Sequence, residues 1–403
     1  MALLSHVQAL CTFLLLLSTA ASAQSRGIAS AQAPFVKASG TQFVVNGRPF
    51  FFAGTNAFYL TERSFLNDAQ ISEFFQVNAD KGVTAVRTWA FINGYGTSYS
   101  TPNPFQPSPG VYKEENLKRL DLVLAEAAKH GIRVILMLGN FEPESGGMSW
   151  YVSEILGSGH AKEEFYTNAQ VITAYKNYVQ KIVTRINTFT GIAYKDDPTV
   201  LAWECMNEPH TTDLYENTHG MVPGKLAYDW LAEMSAFIKA LDGNHMVSTG
   251  EEGYRADRQT TAAHAIWIDT GFKGVDFVKN CGLPTIDFCT VHVYPDNWAI
   301  KAWEHTWVGD NFIRDRAAVA HAAGKPIIME ECGMMAGYLP SRNDFLNWEF
   351  GVAVDAGYAG VLVWQVHPWA MESYGTGSYN FAYGWDGSDA LYHLYSRMKA
   401  LTG

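Results

Sequence analysis

The 403-residue chain has few basic residues, few cysteines and, after its first 23 residues, no long apolar segment. Lys and Arg number 29 against 40 Asp and Glu, which gives a net charge of −11. The Lys and Arg residues form no cluster that would create a local basic patch. Such a charge repels phosphate backbones and anionic membrane surfaces, so we do not expect nucleic acid to be a partner. The sequence also lacks any Asn-x-Ser/Thr site for N-glycosylation.

The first segment, residues 1–23, has the features of a secretory signal peptide. An apolar stretch over Leu10–Leu17 precedes Ala21-Ser-Ala23, the small-x-small pattern of a signal-peptidase site. No Lys or Arg occurs before Arg26, so the usual basic start is missing. An N-terminal membrane anchor is the alternative, although the stretch falls short of the ~20 residues that a membrane span needs. We expect a secreted, extracellular protein with no membrane contact after cleavage.

Cysteine is too scarce for a disulfide framework. Cys11 would leave with the signal peptide, and the mature chain would keep Cys205, Cys281, Cys289 and Cys332. Three of these lie in or beside predicted buried strands, which favours packed thiols, and no Cys/His spacing resembles a zinc site. A bridge from Cys281 to Cys289, or between strands, stays open. We expect neither a metal nor another cofactor.

After a short polar stretch at 24–33, residues 34–403 contain no linker, repeat or charge block and are predicted to form one domain. Strand-like runs alternate with helical patterns such as Asn116–His130 and Gln170–Thr188. The eight runs are Phe50–Asn56, Val83–Trp89, Arg133–Gly139, Val200–Met206, His245–Thr249, Phe288–Val293, Pro326–Glu330 and Gly360–Gln365. No glycine-rich nucleotide loop follows the first run, so a (β/α)8 TIM barrel is favoured over a doubly wound sheet.

Each run ends at or near a polar or aromatic residue, where the chemistry of such barrels is found. These residues are Asn56, Trp89, Asn140, Glu208, Glu251, Tyr294, Glu331 and Trp364. A single polar strand end is usually a cap or turn former, but eight at one rim indicate a site. The aromatic, Gly-rich stretch Trp369–Trp385 is predicted to line a groove there, and part of it could simply cover the barrel.

Two glutamates at strand ends indicate acid/base chemistry on a sugar. Glu208 precedes Pro209, which forces the backbone out of the strand and leaves the carboxyl group at the rim, so it is the predicted proton donor. Glu331 lies beside the turn after the seventh run and is the predicted nucleophile. Strand alternation sends its neighbour Glu330 to the other face, to pair with a basic group outside the barrel; the converse assignment of these two is the alternative.

Five further residues are predicted to support these carboxylates or to hold substrate. A buried Arg87 needs a carboxylate partner, and a bidentate contact would stabilise an ionised nucleophile; a purely structural salt bridge is the alternative. His292 and Tyr294 share one strand face and can reach the carboxylates or a sugar hydroxyl. Trp364 and Trp89 could stack on a pyranose ring, or could simply pack in the core.

Together these residues resemble the endo-β-mannanases of glycoside hydrolase family 5, especially the plant-type branch, from about Phe35 to the C-terminus. The matching segments are Ala85–Phe91, Ile186–Pro198, Trp203–Pro209, Ser248–Gly253, Ile286–Asp296 and Gly360–Gln365. The resemblance implies a retaining (β/α)8 enzyme, with Glu208 as acid/base and Glu331 as nucleophile, that cuts β-1,4 bonds in mannan, glucomannan or galactomannan without a metal. It also implies that the sugar at the cleavage point is held by Trp89, Asn207, His292, Tyr294 and Trp364.

Two positions depart from the family pattern, both on the leaving-group side. His210 stands where the family usually has Arg, two residues after the acid/base, so a sugar contact there would be weaker or pH-dependent. Glu154 stands where a Trp is expected, with Trp150 a few positions earlier. We expect intact cleavage chemistry with altered affinity for the leaving-side sugar and less transfer to sugar acceptors.

The sequence therefore predicts a secreted, monomeric endo-β-1,4-mannanase whose partners are β-mannans and manno-oligosaccharides. A β-1,4-glucanase or an exo-acting mannosidase on the same barrel is the first alternative, since glucose and mannose differ at one hydroxyl. An inactive glycan-binding barrel is the second, and it should lack a carboxylate or Arg87, all of which this chain keeps.

Overall fold

The structure, a computed structural model, describes residues 34–97, 102–258, 266–298, 300, 304–335, 342–368 and 381–382. The segments 1–23 and 24–33, and nearly all of Trp369–Trp385, lie outside the described residues. From Phe35 onward, the described residues belong to one compact unit.

That unit begins with a small antiparallel sheet that the sequence did not predict. Its strands are β1 (Lys37–Ser39), β2 (Gln42–Val45) and β3 (Arg48–Pro49). The buried ring of Phe43 packs on the rings of Phe52 and Phe288, with centroids 5.6 and 5.3 Å apart. Both partners lie where a barrel strand begins, so the small sheet closes the amino-terminal end of the barrel and leaves the opposite end for the site.

Eight parallel strands confirm the predicted (β/α)8 barrel. They are β4 (Phe52–Asn56), β5 (Ala85–Trp89), β6 (Arg133–Met137), β7 (Val200–Glu204), β8 (Met246–Ser248), β9 (Cys289–Val293), β10 (Ile327–Cys332) and β11 (Gly360–Val363). Their order is β8-β7-β6-β5-β4-β11-β10-β9. The end strands β8 and β9 are connected by backbone hydrogen bonds at their margins, from the Asp287 N–H to the Val247 carbonyl (2.8 Å) and from the His292 N–H to the Glu252 carbonyl (3.1 Å).

Helices connect the strands, because two neighbouring parallel strands need a long crossover connection, which is usually an α-helix. They are α1 (Asp68–Asp80), α2 (Glu114–Lys129), α3 (Met148–Leu156), α4 (Glu164–Thr167), α5 (Ala169–Val183), α6 (Tyr215–Thr218), α7 (Lys225–Leu241), α8 (Ile266–Asp269), α9 (Phe277–Cys281), α10 (His305–Val308), α11 (Arg314–Ala322) and α12 (Arg342–Asp355). Asn67 caps α1 in a capping box, and Asn168 caps α5. Two short strands, β12 (Val366–His367) and β13 (Phe381–Ala382), pair in parallel.

The cysteines divide into two kinds. Cys205 and Cys332 are free and buried, as packed thiols should be. Cys281 and Cys289 form a disulfide across a Cα separation of 5.4 Å, so the expectation of a packed thiol is wrong for Cys289 and the bridge that the sequence left open is present. The reason is tertiary: α9 ends at Cys281 beside the first residue of β9, a proximity that sequence spacing did not determine. None of the helices among the described residues is long and apolar enough to span a membrane.

Candidate active site

Arg87 lies at the centre of a hydrogen-bond network inside the barrel. Its side chain is fully buried on β5 and makes a bidentate contact with Glu204 on β7, at 2.8 and 2.5 Å. It also donates to the amide oxygens of Asn207 (2.7 Å) and Asn56 (3.0 Å), and to Oε1 of Glu331. Burial opposes the charge of Arg87, but the surrounding carboxylates outweigh it and raise its pKa well above the ordinary value.

Glu331 is held at both oxygens. While Arg87 donates to Oε1, the hydroxyl of Tyr294 donates to Oε2 at 2.6 Å. Burial and the negative Glu331 raise the pKa of Tyr294 well above its ordinary value, so the hydroxyl keeps the proton that it donates. These two contacts fix the position of the carboxylate and stabilise its charge.

Glu208 lies beyond the end of β7 in a left-handed backbone conformation, with φ of 51°. The N–H group of Glu208 donates to the carbonyl of Gly250 (2.8 Å), which ties this strained residue to the loop after β8. Its side chain is 22% exposed, and Oε1 lies 2.7 Å from Nδ1 of His292. Burial alone would raise the pKa of Glu208, but the hydrogen bond and charge of His292 outweigh burial and lower it.

His292 joins the two carboxylates. Its Nδ1 lies 2.7 Å from Glu208 and 3.7 Å from Oε2 of Glu331, and these three side chains place a ligand-type atom each within 4.8 Å of one another. Burial disfavours the charged ring, yet Glu331 and Glu208 outweigh it and raise the pKa of His292 well above the ordinary value. Hydrogen bonds link Glu208 to His292 and join Glu331 to Arg87 and Tyr294.

Asn207 links the strand ends on the other side of the cleft. Its amide oxygen accepts from Arg87, and its Nδ2 donates to Oδ1 of Asn140 at 3.1 Å. Because an amide nitrogen carries two protons, one further donor remains for a hydroxyl group in the cleft.

The two predicted tryptophans differ in exposure. Trp89 is 4% exposed, and its ring packs between Phe58 and Phe91, with centroids 4.8 and 5.1 Å away. Trp364 is only partly buried and stacks on Phe58 at 5.9 Å with an interplanar angle of 8°. Trp364 therefore offers an open ring edge or face to a ligand, whereas Trp89 forms part of the wall behind it.

The position predicted for Glu330, outside the barrel, is wrong. The register of β10 shifts between Met329 and Glu331, and such a bulge breaks the alternation on which the prediction rested. Glu330 is fully buried, with its Oε2 3.7 Å from Nε of Arg87 and 3.5 Å from Nε2 of His292.

His210, which the resemblance predicts to lie on the leaving-group side, is buried against aromatic surface. Its ring centroid lies 3.6 Å from that of Phe141, whose ring also carries the ammonium group of Lys162 at 3.3 Å. Burial lowers the pKa of His210 to about 4, so the ring is neutral at ordinary pH and a pH-dependent contact above pH 5 is not supported. Glu154 is exposed on α3, while Trp150 is buried.

Sequence reasoning missed Glu204 as a site residue, although it noted Asn56 and Asn140 as strand ends. The available signal was a charged residue inside the apolar run of β7, facing a barrel that also holds a buried arginine. Glu251, another predicted strand end, accepts hydrogen bonds from Thr249 and Asn280 at 3.1 Å each. Burial raises its pKa to about 8, and its contacts fit a structural role in the loop after β8.

Comparison of the sequence with known proteins identifies a family. Residues 33–339 match the family described as GH family 5 beta-mannosidase-like. The chain is 36% identical to mannan endo-1,4-beta-mannosidase 1 of Oryza sativa subsp. japonica, over 87% of this chain and 82% of that one. It is also 36% identical to mannan endo-1,4-beta-mannosidase 7 of Arabidopsis thaliana, over 82% and 78%.

Solved structures agree with the sequence relatives. The endo-1,4-beta-mannanase from Rhizomucor miehei superposes with a TM-score of 0.78 at 29% identity, covering 91% of this chain and 99% of that one. The endo-beta-1,4-mannanase from Thermotoga petrophila gives a TM-score of 0.79 at 27% identity, covering 88% and 78%. With the barrel and its paired carboxylates, these matches show that the chain belongs to the β-mannosidase-like group of glycoside hydrolase family 5.

Proposed function

We propose that the protein is an endo-β-1,4-mannanase that cleaves internal bonds of mannan, glucomannan and galactomannan with retention of configuration. The observation that carries the mechanism is the proximity of the two carboxylates: one oxygen of Glu208 lies within 4.8 Å of one oxygen of Glu331. Retaining glycosidases separate their carboxyl groups by about 5 to 5.5 Å, whereas inverting enzymes need about 6.5 to 9.5 Å for a water molecule. The substrate class and endo action rest on the named relatives.

The reaction would run as a double displacement. An oxygen of Glu331 bonds to the anomeric carbon as the glycosidic bond breaks, and Glu208 gives its proton to the departing oxygen. Water then attacks the same carbon and gives a proton to Glu208 while the bond to Glu331 breaks. The site supports this division of labour, because Glu331 is fixed by Arg87 and Tyr294 while Glu208 is partly exposed and hydrogen-bonded to His292.

The residue at position 210, where this chain departs from the family pattern, supports a change in how the enzyme binds acceptor sugars. Because His210 is neutral and packed on Phe141, it cannot supply the cationic contact that Arg would offer to a sugar in the leaving position. Weaker binding of acceptor sugars favours water in the second step, so we expect less transglycosylation. His210→Arg should increase the yield of transfer products from manno-oligosaccharides, and an unchanged product distribution would count against this part of the proposal.

Reducing-sugar release and viscosity, measured side by side on linear mannan, glucomannan and carboxymethyl-cellulose, test the activity. Rapid viscosity loss on the mannans alone is expected, with Glu208→Ala and Glu331→Ala each abolishing it and Glu73→Ala, an exposed glutamate on α1, unchanged. Activity mainly on the cellulose derivative would favour a glucanase, monosaccharide release without viscosity loss would favour an exo-mannosidase, and no activity would favour a glycan-binding barrel.

We further propose that the protein is secreted and monomeric. The support for secretion is the apolar stretch followed by Ala21-Ser-Ala23. The protein recovered from culture medium should have Gln24 as its first residue in N-terminal sequencing. Recovery of the protein in a membrane fraction, with residues 1–23 still attached, would contradict secretion. Light scattering after size-exclusion chromatography should give the mass of a single chain.

A further inference from the structure

Glu330 is a buried charged group for which the reaction above has no use. It is fully buried on β10, and among the described residues no N–H group lies within hydrogen-bonding distance of either carboxyl oxygen. A buried carboxylate that accepts no hydrogen bond is costly, so the presence of Glu330 next to Glu331 needs a reason.

The groups that face Glu330 come from three strands. Nε2 of His292 on β9 lies 3.5 Å from its Oε2, and Nε of Arg87 on β5 lies 3.7 Å from the same atom. The carboxyl group of Glu204 on β7 interacts with it electrostatically. Nε2 of His292 has no hydrogen-bond partner among the described residues, and its ion-pair contact is Oε2 of Glu330 at 3.5 Å.

His292 therefore lies between two carboxylates, with Glu208 on Nδ1 and Glu330 on Nε2. We propose that Glu330 is a positioning residue that acts through His292: its carboxylate keeps a proton on Nε2, so that the mobile proton of the site is the one between Nδ1 and Glu208. This inference rests on the proposed role of Glu208 as acid/base. A second carboxylate on the far nitrogen of a histidine fixes the ring tautomer and raises its basicity.

The distribution of charge supports this arrangement. Burial raises the pKa of Glu204 well above its ordinary value despite Arg87, whereas Arg87 and His292 outweigh burial at Glu330 and lower its pKa. The negative charge is thus disfavoured at Glu204 and favoured at Glu330, whose Oε2 lies 3.5 Å from Nε2 of His292. Glu251 and Glu252, after β8, also interact electrostatically with the ring, but Glu330 is the carboxylate that lies next to Nε2.

The negative charge on Glu330 makes the last proton of the His292–Glu208 pair harder to remove. In Glu330→Gln, Glu204 is left as a lone carboxylate against Arg87, and the negative charge moves away from His292. The basic limb of the kcat/KM–pH profile should therefore move to lower pH by about one unit, the low end of the shift caused by an adjacent opposite charge. Glu330→Asp keeps the negative charge, so its basic limb should lie close to the wild-type position.

A matched control is Glu349→Gln on α12. Glu349 is also fully buried with neither carboxyl oxygen partnered among the described residues, but its raised pKa comes from burial and Asp296 rather than from the active site. This variant should leave the basic limb in place. A basic limb that is unmoved in folded Glu330→Gln, or one that moves equally in Glu349→Gln, would overturn the proposal.

NMR of the histidine ring nitrogens gives a readout that needs neither activity nor a folded Glu330 variant. In the wild-type protein above the pKa of His292, the ring should be the Nε2–H tautomer, with its signal identified as the one missing from His292→Gln. An Nδ1–H tautomer would overturn the proposal. If the protein hydrolyses no mannan, the proposed function fails, while the ring tautomer still decides the role of Glu330.

Discussion

At the scale of single residues, two basic groups and four carboxyl groups lie close together at the carboxyl end of the barrel, and most of them are buried. They are Arg87, His292, Glu204, Glu208, Glu330 and Glu331. Arg87 contacts Glu204 and Glu331, and His292 contacts Glu208. The proton that the reaction needs is thus shared within the Glu208–His292 pair, and the pair as a whole sets the pH at which Glu208 can act as an acid.

Tyr294 should matter through the position of the nucleophile. Tyr294→Phe removes the 2.6 Å hydrogen bond to Oε2 of Glu331 and leaves that buried oxygen without this donor. We expect kcat to fall at least about tenfold, because a displaced reacting group loses its alignment. Steady-state kinetics on mannohexaose measure the effect. Tyr358→Phe, which removes a buried hydroxyl bonded to the Ile313 carbonyl, should change kcat little, and equal losses would contradict the assignment.

His210 should make the fold sensitive to acid. Its pKa is lowered by burial from 6.5 to about 4, so the unfolded chain takes up the proton first as the pH falls. The contribution of the neutral ring is complete above pH 6.5 and is lost down to pH 4, which costs about 3 kcal/mol. Denaturant unfolding at pH 7 and pH 4 should show this loss in wild type and a smaller loss in His210→Gln. Identical pH dependence in both proteins would refute the assignment.

At the scale of elements, the loop after β8 supports the end of β7. The carbonyl of Gly250 accepts the N–H of Glu208, and Gly250 itself has φ of +78°. A Cβ atom there would lie 2.0 Å from the Met206 carbonyl oxygen and 2.4 Å from Oε1 of Glu204. The loop therefore passes too close to β7 for any side chain at this position.

Gly250→Ala should consequently damage both stability and catalysis. We expect a loss of about 2 kcal/mol or more in the free energy of unfolding, from the left-handed backbone and the contact with β7, and a lower kcat because Glu204 and Glu208 are displaced. Urea unfolding and kinetics of the same samples test this. Gly243→Ala, where a Cβ would meet no atom within 4 Å, is the control, and a Gly250→Ala protein as stable and active as this control would contradict the account.

The elements also show which parts of the structure a sequence can reveal. The eight barrel strands were predictable because each is a buried apolar run with a polar end. The sheet β1–β3 was not, because its strands have only two to four residues and follow no long apolar pattern. The inward position of Glu330 depends on a bulge in β10, and a one-residue register change has no signature in the sequence.

At the scale of the whole molecule, the barrel brings together residues from distant parts of the chain. Arg87 and Glu331, 244 positions apart, could be predicted to meet because the carboxyl ends of parallel strands share one rim. The Cys281–Cys289 bridge could not, because it depends on where α9 docks against β9.

That disulfide should stabilise the fold without affecting catalysis. It spans 8 positions of sequence, and closing a loop of that size in the unfolded chain corresponds to about 2.5 kcal/mol. The double variant Cys281→Ser/Cys289→Ser should lose about this amount in urea unfolding and keep wild-type kcat. Dithiothreitol should destabilise the wild type and leave the double variant unchanged; a variant as stable as the oxidised wild type would contradict the expected contribution.

The central claim is that Glu208 and Glu331 catalyse a double displacement on mannan, and the anomeric configuration of the first product tests it most directly. Proton NMR recorded during the first minutes of mannopentaose hydrolysis, before mutarotation, should show the β-anomer at the new reducing end. Initial release of the α-anomer would mean a single displacement by water, and would contradict the account of the site given by the carboxylate spacing.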